Sequence, residues 1–99
     1  MLSFVSMIRI VKMHFKPGNV DDFLALYKIA YPKITVMPGC ENLQLLRDKD
    51  TPEILFTYSH WKDEDALHNY RHSELFIETW RNTKALFEQK AEAWSVEEV

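Results

Sequence analysis

Both glycines of this 99-residue chain, Gly18 and Gly39, directly follow a proline, and these two Pro-Gly steps constrain the fold more than any other feature. Proline presets a turn and removes a backbone donor, while glycine accepts backbone angles closed to other residues, so each pair interrupts regular structure. Between them Phe23, Leu26, Tyr27, Ala30 and Ile34 recur at helical spacing. Asn19 stands at the N-cap position, and Asp21 and Asp22 sit at the positive end of that helix. Pro32 is expected to kink or end it, because it lacks an N–H and disfavours helical angles at Tyr31.

Outside the helix the period changes to two. Residues Met7 to Phe15 read as a strand with Met7, Val11, Met13 and Phe15 on one face and Ile8 and Ile10 on the other. After Pro38-Gly39, Cys40 to Arg47 reads as a second strand, with Leu43 and Leu45 opposed to Leu46. The polar loop DKDTPE leads into a third, Ile54 to Trp61, where Ile54, Phe56, Tyr58 and His60 alternate with Leu55, Thr57, Ser59 and Trp61. Strands two and three are expected to form an antiparallel hairpin. Asp63 to Arg71 is a short helix, and Ser73 caps a longer one to about Gln89 with Phe76, Trp80, Thr83 and Phe87 inward. Ala91 to Glu97 closes the chain as a strand with Trp94 and Val96 on one face.

The order β-α-β-β-α-β predicts an α+β, ferredoxin-like fold: one antiparallel sheet with helices on one face. The other face stays bare although strands one and three are apolar on both sides, so a second copy of the same sheet is the expected cover, giving a homodimer. The chain is read as one domain over residues 1–99, with residues 1 to 6 an alternative start or a loosely held arm. A formal charge of -3 leaves no basic footprint, which argues against nucleic acid and anionic membrane surfaces as partners. The lone Cys40 gives no disulfide framework, and neither a secretory signal nor a membrane span is recognisable, so a cytoplasmic setting is expected.

The densest chemistry lies in WKDEDALHNYRHSELFIETW, residues 61 to 80, where Trp61, Tyr70, Phe76 and Trp80 accompany His68 and His72. Aromatics at helical spacing are core residues when taken singly; beneath a cavity the same residues become its walls. His68 and His72 share the i, i+4 spacing of two-histidine metal sites, but no third ligand has convincing spacing and no metal is expected. His72 and His60 are the candidate general bases, each with an ordinary alternative as a helix-end or strand-end residue. Tyr70 is the first polar pocket candidate, because a buried phenol needs a partner. Arg9 and Arg47 are candidates to stabilise an anionic oxygen, with Arg47 more simply a surface partner of the neighbouring aspartates. Cys40 reads as a small buried hydrophobe.

The strand-turn-helix IVKMHFKPGNVDDFLALY, the PGC before strand two, LLRD at its end, the F-x-Y-x-x-W of strand three and the spacing of Leu67, Tyr70, Ser73 and Phe76 together resemble the antibiotic biosynthesis monooxygenase family of dimeric α/β-barrel proteins. The resemblance runs from Ile8 to about Val96. It implies oxygen chemistry without flavin, haem or metal, in which a small phenolic or quinol-type aromatic supplies the electrons to O₂ and no cofactor is required. In that scheme Tyr70, Phe76, Trp80, Val11, Met13, Tyr58 and Trp61 bind the substrate, and His72 or His60 is the base. A non-catalytic small-molecule binder or dimeric interaction module of the same fold is the alternative. A haem-degrading branch resembles the fold too, but its asparagine, tryptophan and histidine positions fall on Val11, Tyr70 and Trp80, which removes the axial ligand and disfavours haem.

Overall fold

The computed structural model describes residues 7–99, so the expectation of an N-terminal arm at residues 1 to 6 lies outside the described residues. The elements are β1 (Met7–Phe15), α1 (Val20–Ile34), β2 (Cys40–Arg47), β3 (Ile54–Trp61), α2 (Glu64–Arg71), α3 (Glu74–Lys84) and β4 (Phe87–Glu97), with a 3₁₀ turn at Pro17–Asn19. The four strands form one sheet in the order β2-β3-β1-β4, and every neighbouring pair is antiparallel. This is the ferredoxin-like α+β arrangement, and β1, β2 and β3 have the bounds their alternation predicts.

Register divides the side chains between two faces. Met7 pairs with Trp61, Arg9 with Ser59, Val11 with Thr57 and Met13 with Leu55, and these residues point toward the helices. Two packed clusters hold the helices there. One contains Ala30, Ile34, Leu43, Trp61 and Leu67; the other contains Met13, Phe15, Phe23 and Leu55. Ile8, Ile10, Tyr58 and His60 occupy the opposite face, where Ile10 lies between Tyr58 and Trp94 and Ile8 between His60 and Val96.

The turns follow from local chemistry. Gly39 has φ +83°, and a Cβ there would collide with the Cβ of Ala66 on α2, so this Pro-Gly step needs glycine for both angle and space. Asp63 Oδ1 accepts from the Ala66 N–H at 2.9 Å and starts α2. Ser73 Oγ accepts from the Phe76 N–H at 3.1 Å and donates to the Tyr70 carbonyl at 2.6 Å, which turns the chain from α2 into α3.

Three expectations need correction. Pro32 does not end α1: the helix runs through it to Ile34, because a missing N–H so near the C-terminus removes one bond from a turn already being capped by Thr35 N–H to Tyr31 O at 3.0 Å. Asn19 occupies the N-cap position without a side-chain cap bond, and its Nδ2 donates instead to the Leu86 carbonyl at 3.3 Å. Helix α3 stops at Lys84 rather than near Gln89, and Phe87 belongs to β4, where it pairs with Phe15. The Lys16 N–H bonds to the Leu86 carbonyl at 3.1 Å, so sheet pairing with β1 takes the segment that helical periodicity would have extended.

Candidate active site

Between the sheet and the helices lies a partly open cavity of about 340 Å³, within the usual range of small-molecule sites. Its floor is the helix-facing side of the sheet, with Val11, Met13, Thr57, Ser59, Ala91 and Ala93; its walls come from Phe23, Tyr27, Leu67, Tyr70, Phe76, Trp80 and Thr83. Ala91 and Ala93 leave the floor shallow on the β4 side, so the space persists where larger side chains would close it.

A run of touching rings passes through the cavity walls and the core behind them. Trp61 stacks on Tyr70 at 4.9 Å, Tyr70 meets Phe76 edge-on at 5.2 Å, and Phe76 stacks on Trp80 at 5.9 Å. Trp80 then meets Phe87 at 5.6 Å, Phe87 meets Phe15 at 5.3 Å, Phe15 stacks on Phe23 at 4.5 Å, and Phe23 reaches Tyr27 at 5.9 Å. Such contacts fix ring orientation beyond simple burial, so the cavity has rigid stacking walls. Trp61, only 1% exposed, is aligned by its indole N–H donating to Ser59 Oγ at 3.0 Å.

Few polar groups interrupt this lining. The Tyr27 hydroxyl is buried and has no hydrogen-bond partner among the described residues. Burial, helped by Tyr31 and Cys40, pushes its pKa up to about 12. Burial likewise raises that of Tyr70, with smaller contributions from Cys40 and Tyr27. Both phenols are therefore neutral donors near neutral pH. Thr83 satisfies itself by donating to the Thr79 carbonyl at 2.7 Å. At the mouth stand Arg9 and Arg71, which also border a shallower cleft beside the cavity. Burial first, and then the like charge of Arg71, lowers the Arg9 guanidinium below its ordinary value.

Of the residues expected at the site, Val11, Met13, Trp61, Tyr70, Phe76 and Trp80 all line the cavity. Tyr58 and His60 do not: their positions on β3 have the parity of Ile54 and Phe56, so they stand on the far face of the sheet, ring against ring at 5.3 Å. His60 Nε2 is buried there without a partner among the described residues. His72 does not line the cavity either; it is exposed at the end of α2, with Nδ1 2.8 Å from the His68 carbonyl oxygen. Neither candidate base faces the cavity, which corrects the placement expected for both. Among the described residues, no group of three or more histidine, cysteine, aspartate or glutamate side chains is placed to hold a metal ion. Cys40 packs against the Trp61 cluster, and burial raises its thiol pKa, as for a small core residue.

Sequence reasoning placed Tyr27 only on the apolar stripe of α1 and passed over Arg71. The available signal for Tyr27 was a hydroxyl on an otherwise apolar stripe. For Arg71 it was a cation one residue beyond Tyr70, and which way it points depends on the angle at which α2 lies on the sheet.

A model of the antibiotic biosynthesis monooxygenase family matches residues 6–94. None of the curated proteins matches the sequence. Among solved structures, a conserved protein from Methanosarcina mazei Go1 superposes with a TM-score of 0.93 at 23% identity, covering 97% of this chain and 95% of that one. A structure described as an antibiotic biosynthesis monooxygenase gives a TM-score of 0.88 at 24% identity, with 94% and 98% covered. A Mycobacterium tuberculosis protein gives 0.87 at 15% identity, with 95% of each chain covered. At these identities the superpositions establish the shared fold.

Proposed function

The chain belongs to the antibiotic biosynthesis monooxygenase family, and from that membership we propose that its cavity oxidises a small phenolic or quinol-type aromatic with O₂, without an added cofactor. The observation that carries this reading is the ring-walled, mostly apolar cavity, whose lining includes Tyr27 with a buried, neutral hydroxyl that has no hydrogen-bond partner among the described residues. A flat substrate fits between such walls. Its oxygen, on losing a proton, becomes the acceptor that Tyr27 lacks, and Tyr70 supplies a second donor.

In an anthrone-type substrate the chemistry balances as follows. The CH₂ is acidified by the carbonyl opposite it in the central ring, to which the flanking aryl rings conjugate it, and its proton leaves for solvent through the cavity mouth, since among the described residues no histidine or carboxylate lines the cavity. The oxyanion accepts hydrogen bonds from the two tyrosines, and the electron-rich anion reduces O₂. Overall CH₂ and O₂ give C=O and H₂O: one oxygen atom enters the product, the other becomes water, and the substrate supplies all four electrons. The protein's contribution is stacking, exclusion of bulk water and stabilisation of the anion.

Oxygen uptake on a panel of anthrones and naphthoquinols, with chelator present and no cofactor added, tests the reading. Protein-dependent uptake with quinone formation is expected; background rates unchanged across the panel would overturn it. Among the described residues neither a histidine nor a carboxylate lines the cavity, which favours a second reading, a non-catalytic binder of the same aromatics. Saturable binding without oxygen uptake would select it.

The same proposal includes a homodimer in the cytoplasm. Trp94 and Val96 are 44% and 41% exposed and flank Ile10 and Ile8 on the bare face, which a second copy of the sheet would cover. Among the described residues no helix is long and apolar enough to cross a membrane.

A further inference from the structure

Among the described residues, Arg9 and Arg71 are the two cationic side chains that line the cavity, and both also border the adjoining cleft. They arrive from different elements. Arg9 projects from the middle of β1 toward the helices, between Ser59 on β3 and Ser95 on β4, and its Nη1 donates to Ser95 Oγ at 2.8 Å. Arg71 is the last residue of α2 and is exposed. Like charges converge here at a cost, yet among the described residues neither guanidinium makes an ion pair or a hydrogen bond to a carboxylate. Glu64 and Asp65 border the cleft but not the cavity, and they sit in the first turn of α2, six or seven residues from Arg71. At 1.5 Å per residue their Cα atoms lie roughly 10 Å from that of Arg71. A mostly apolar chamber of this kind, with two guanidiniums at its mouth that make no ion pair among the described residues, is complementary to a ligand with an apolar body and one acidic end.

We propose that Arg9 and Arg71 form a carboxylate-recognition site at the cavity mouth, so that the preferred ligand is an aromatic carrying a carboxylate. Its rings occupy the aromatic chamber and its carboxylate accepts hydrogen bonds from the two guanidiniums. Ser95 holds Arg9 in position, and Arg71, at an exposed helix end, closes on the ligand from the α2 side. This assignment rests on reading the cavity as a small-molecule site and does not depend on turnover.

Isothermal titration of the full chain with 2-naphthoate and with 2-naphthamide, which share one ring system and differ in charge, tests it. Naphthoate is expected to bind about tenfold more tightly, and its affinity is expected to fall between about 20 and about 200 mM salt while that of naphthamide holds. R71Q, at an exposed position that does not threaten folding, is expected to reduce the preference several-fold, and R9Q/R71Q to bring it within about twofold, with naphthamide affinity falling less than that of naphthoate. Equal affinities, no binding of either compound, or a preference that survives in R71Q and R9Q/R71Q would each overturn the proposal. A naphthoate preference without oxygen uptake on the anthrone panel would remove the oxidation and leave the carboxylate site standing. Oxygen uptake with no preference for the carboxylate would do the reverse.

Discussion

The face of the sheet beneath the helices and the face turned away from them share the same strands residue by residue, yet among the described residues the cavity lies under the first. Beneath the helices, Trp61 and Met13 are almost fully buried and a cavity remains between them and α3. On the other side Ile8, Ile10, Phe56, Tyr58, Trp94 and Val96 share one face of the sheet, and among the described residues no helix packs over it. Rigid rings and floor alanines keep the first face hollow, whereas the second has side chains of similar bulk without a cover. Apolar content alone therefore does not mark a site; what separates the faces is the cavity between sheet and helices, with Tyr27 in its lining.

The largest expected effect tests the packed side of this contrast. Trp61→Ala removes an indole that touches Tyr70 and Ser59, and should cost about 3–5 kcal/mol in urea unfolding, whereas Trp94→Ala should cost the folded protomer about 1 kcal/mol or less. A similar loss at both positions would erase the distinction. Next, Ile10→Glu places a charge in the centre of the bare face and should weaken self-association by roughly a hundredfold in sedimentation, with the cavity left intact. Smaller again, Tyr27→Phe should lower oxygen uptake about tenfold while changing stability little, because a hydroxyl with no partner contributes no hydrogen bond to the fold.

The smallest effect concerns alkaline pH. Unfolded tyrosine ionises near pH 10, and Tyr27 in the fold at about 12, so the folded state favours the neutral phenol. Its contribution is complete below pH 10 and is lost as pH rises from about 10 through about 12. Unfolding midpoints measured across that window should fall with pH, and Tyr27→Phe should flatten part of the slope; an identical slope would place Tyr27 in water.

Much of this contrast was readable from the chain. Strict alternation in β3 sets Trp61 opposite in parity to Tyr58 and His60, so a single face cannot hold all three as site residues. The family motif F-x-Y-x-x-W joins Tyr58 and Trp61, and the register separates them, with His60 on the Tyr58 side. The rings Tyr70, Phe76 and Trp80 were legible because helical spacing and Ser73 capping place them on one side of α2 and α3. Phe87 was misplaced because its spacing continues the helical stripe while its backbone pairs with Phe15, a contact 72 residues away in sequence that no local pattern reports. The histidines illustrate the same limit. Their chemistry is visible in the sequence, but whether His72 faces a cavity depends on the rotation of a two-turn helix on the sheet.

The central claim is that oxidation takes place in the hollow under the helices. Oxygen uptake on an anthrone should be compared for the wild type, for Ala93→Phe, which fills the cavity floor, and for Tyr58→Ala on the far face. Protein-dependent uptake that is abolished by Ala93→Phe and kept by Tyr58→Ala is the predicted result. A folded Ala93→Phe protein that consumes oxygen at the wild-type rate would contradict it.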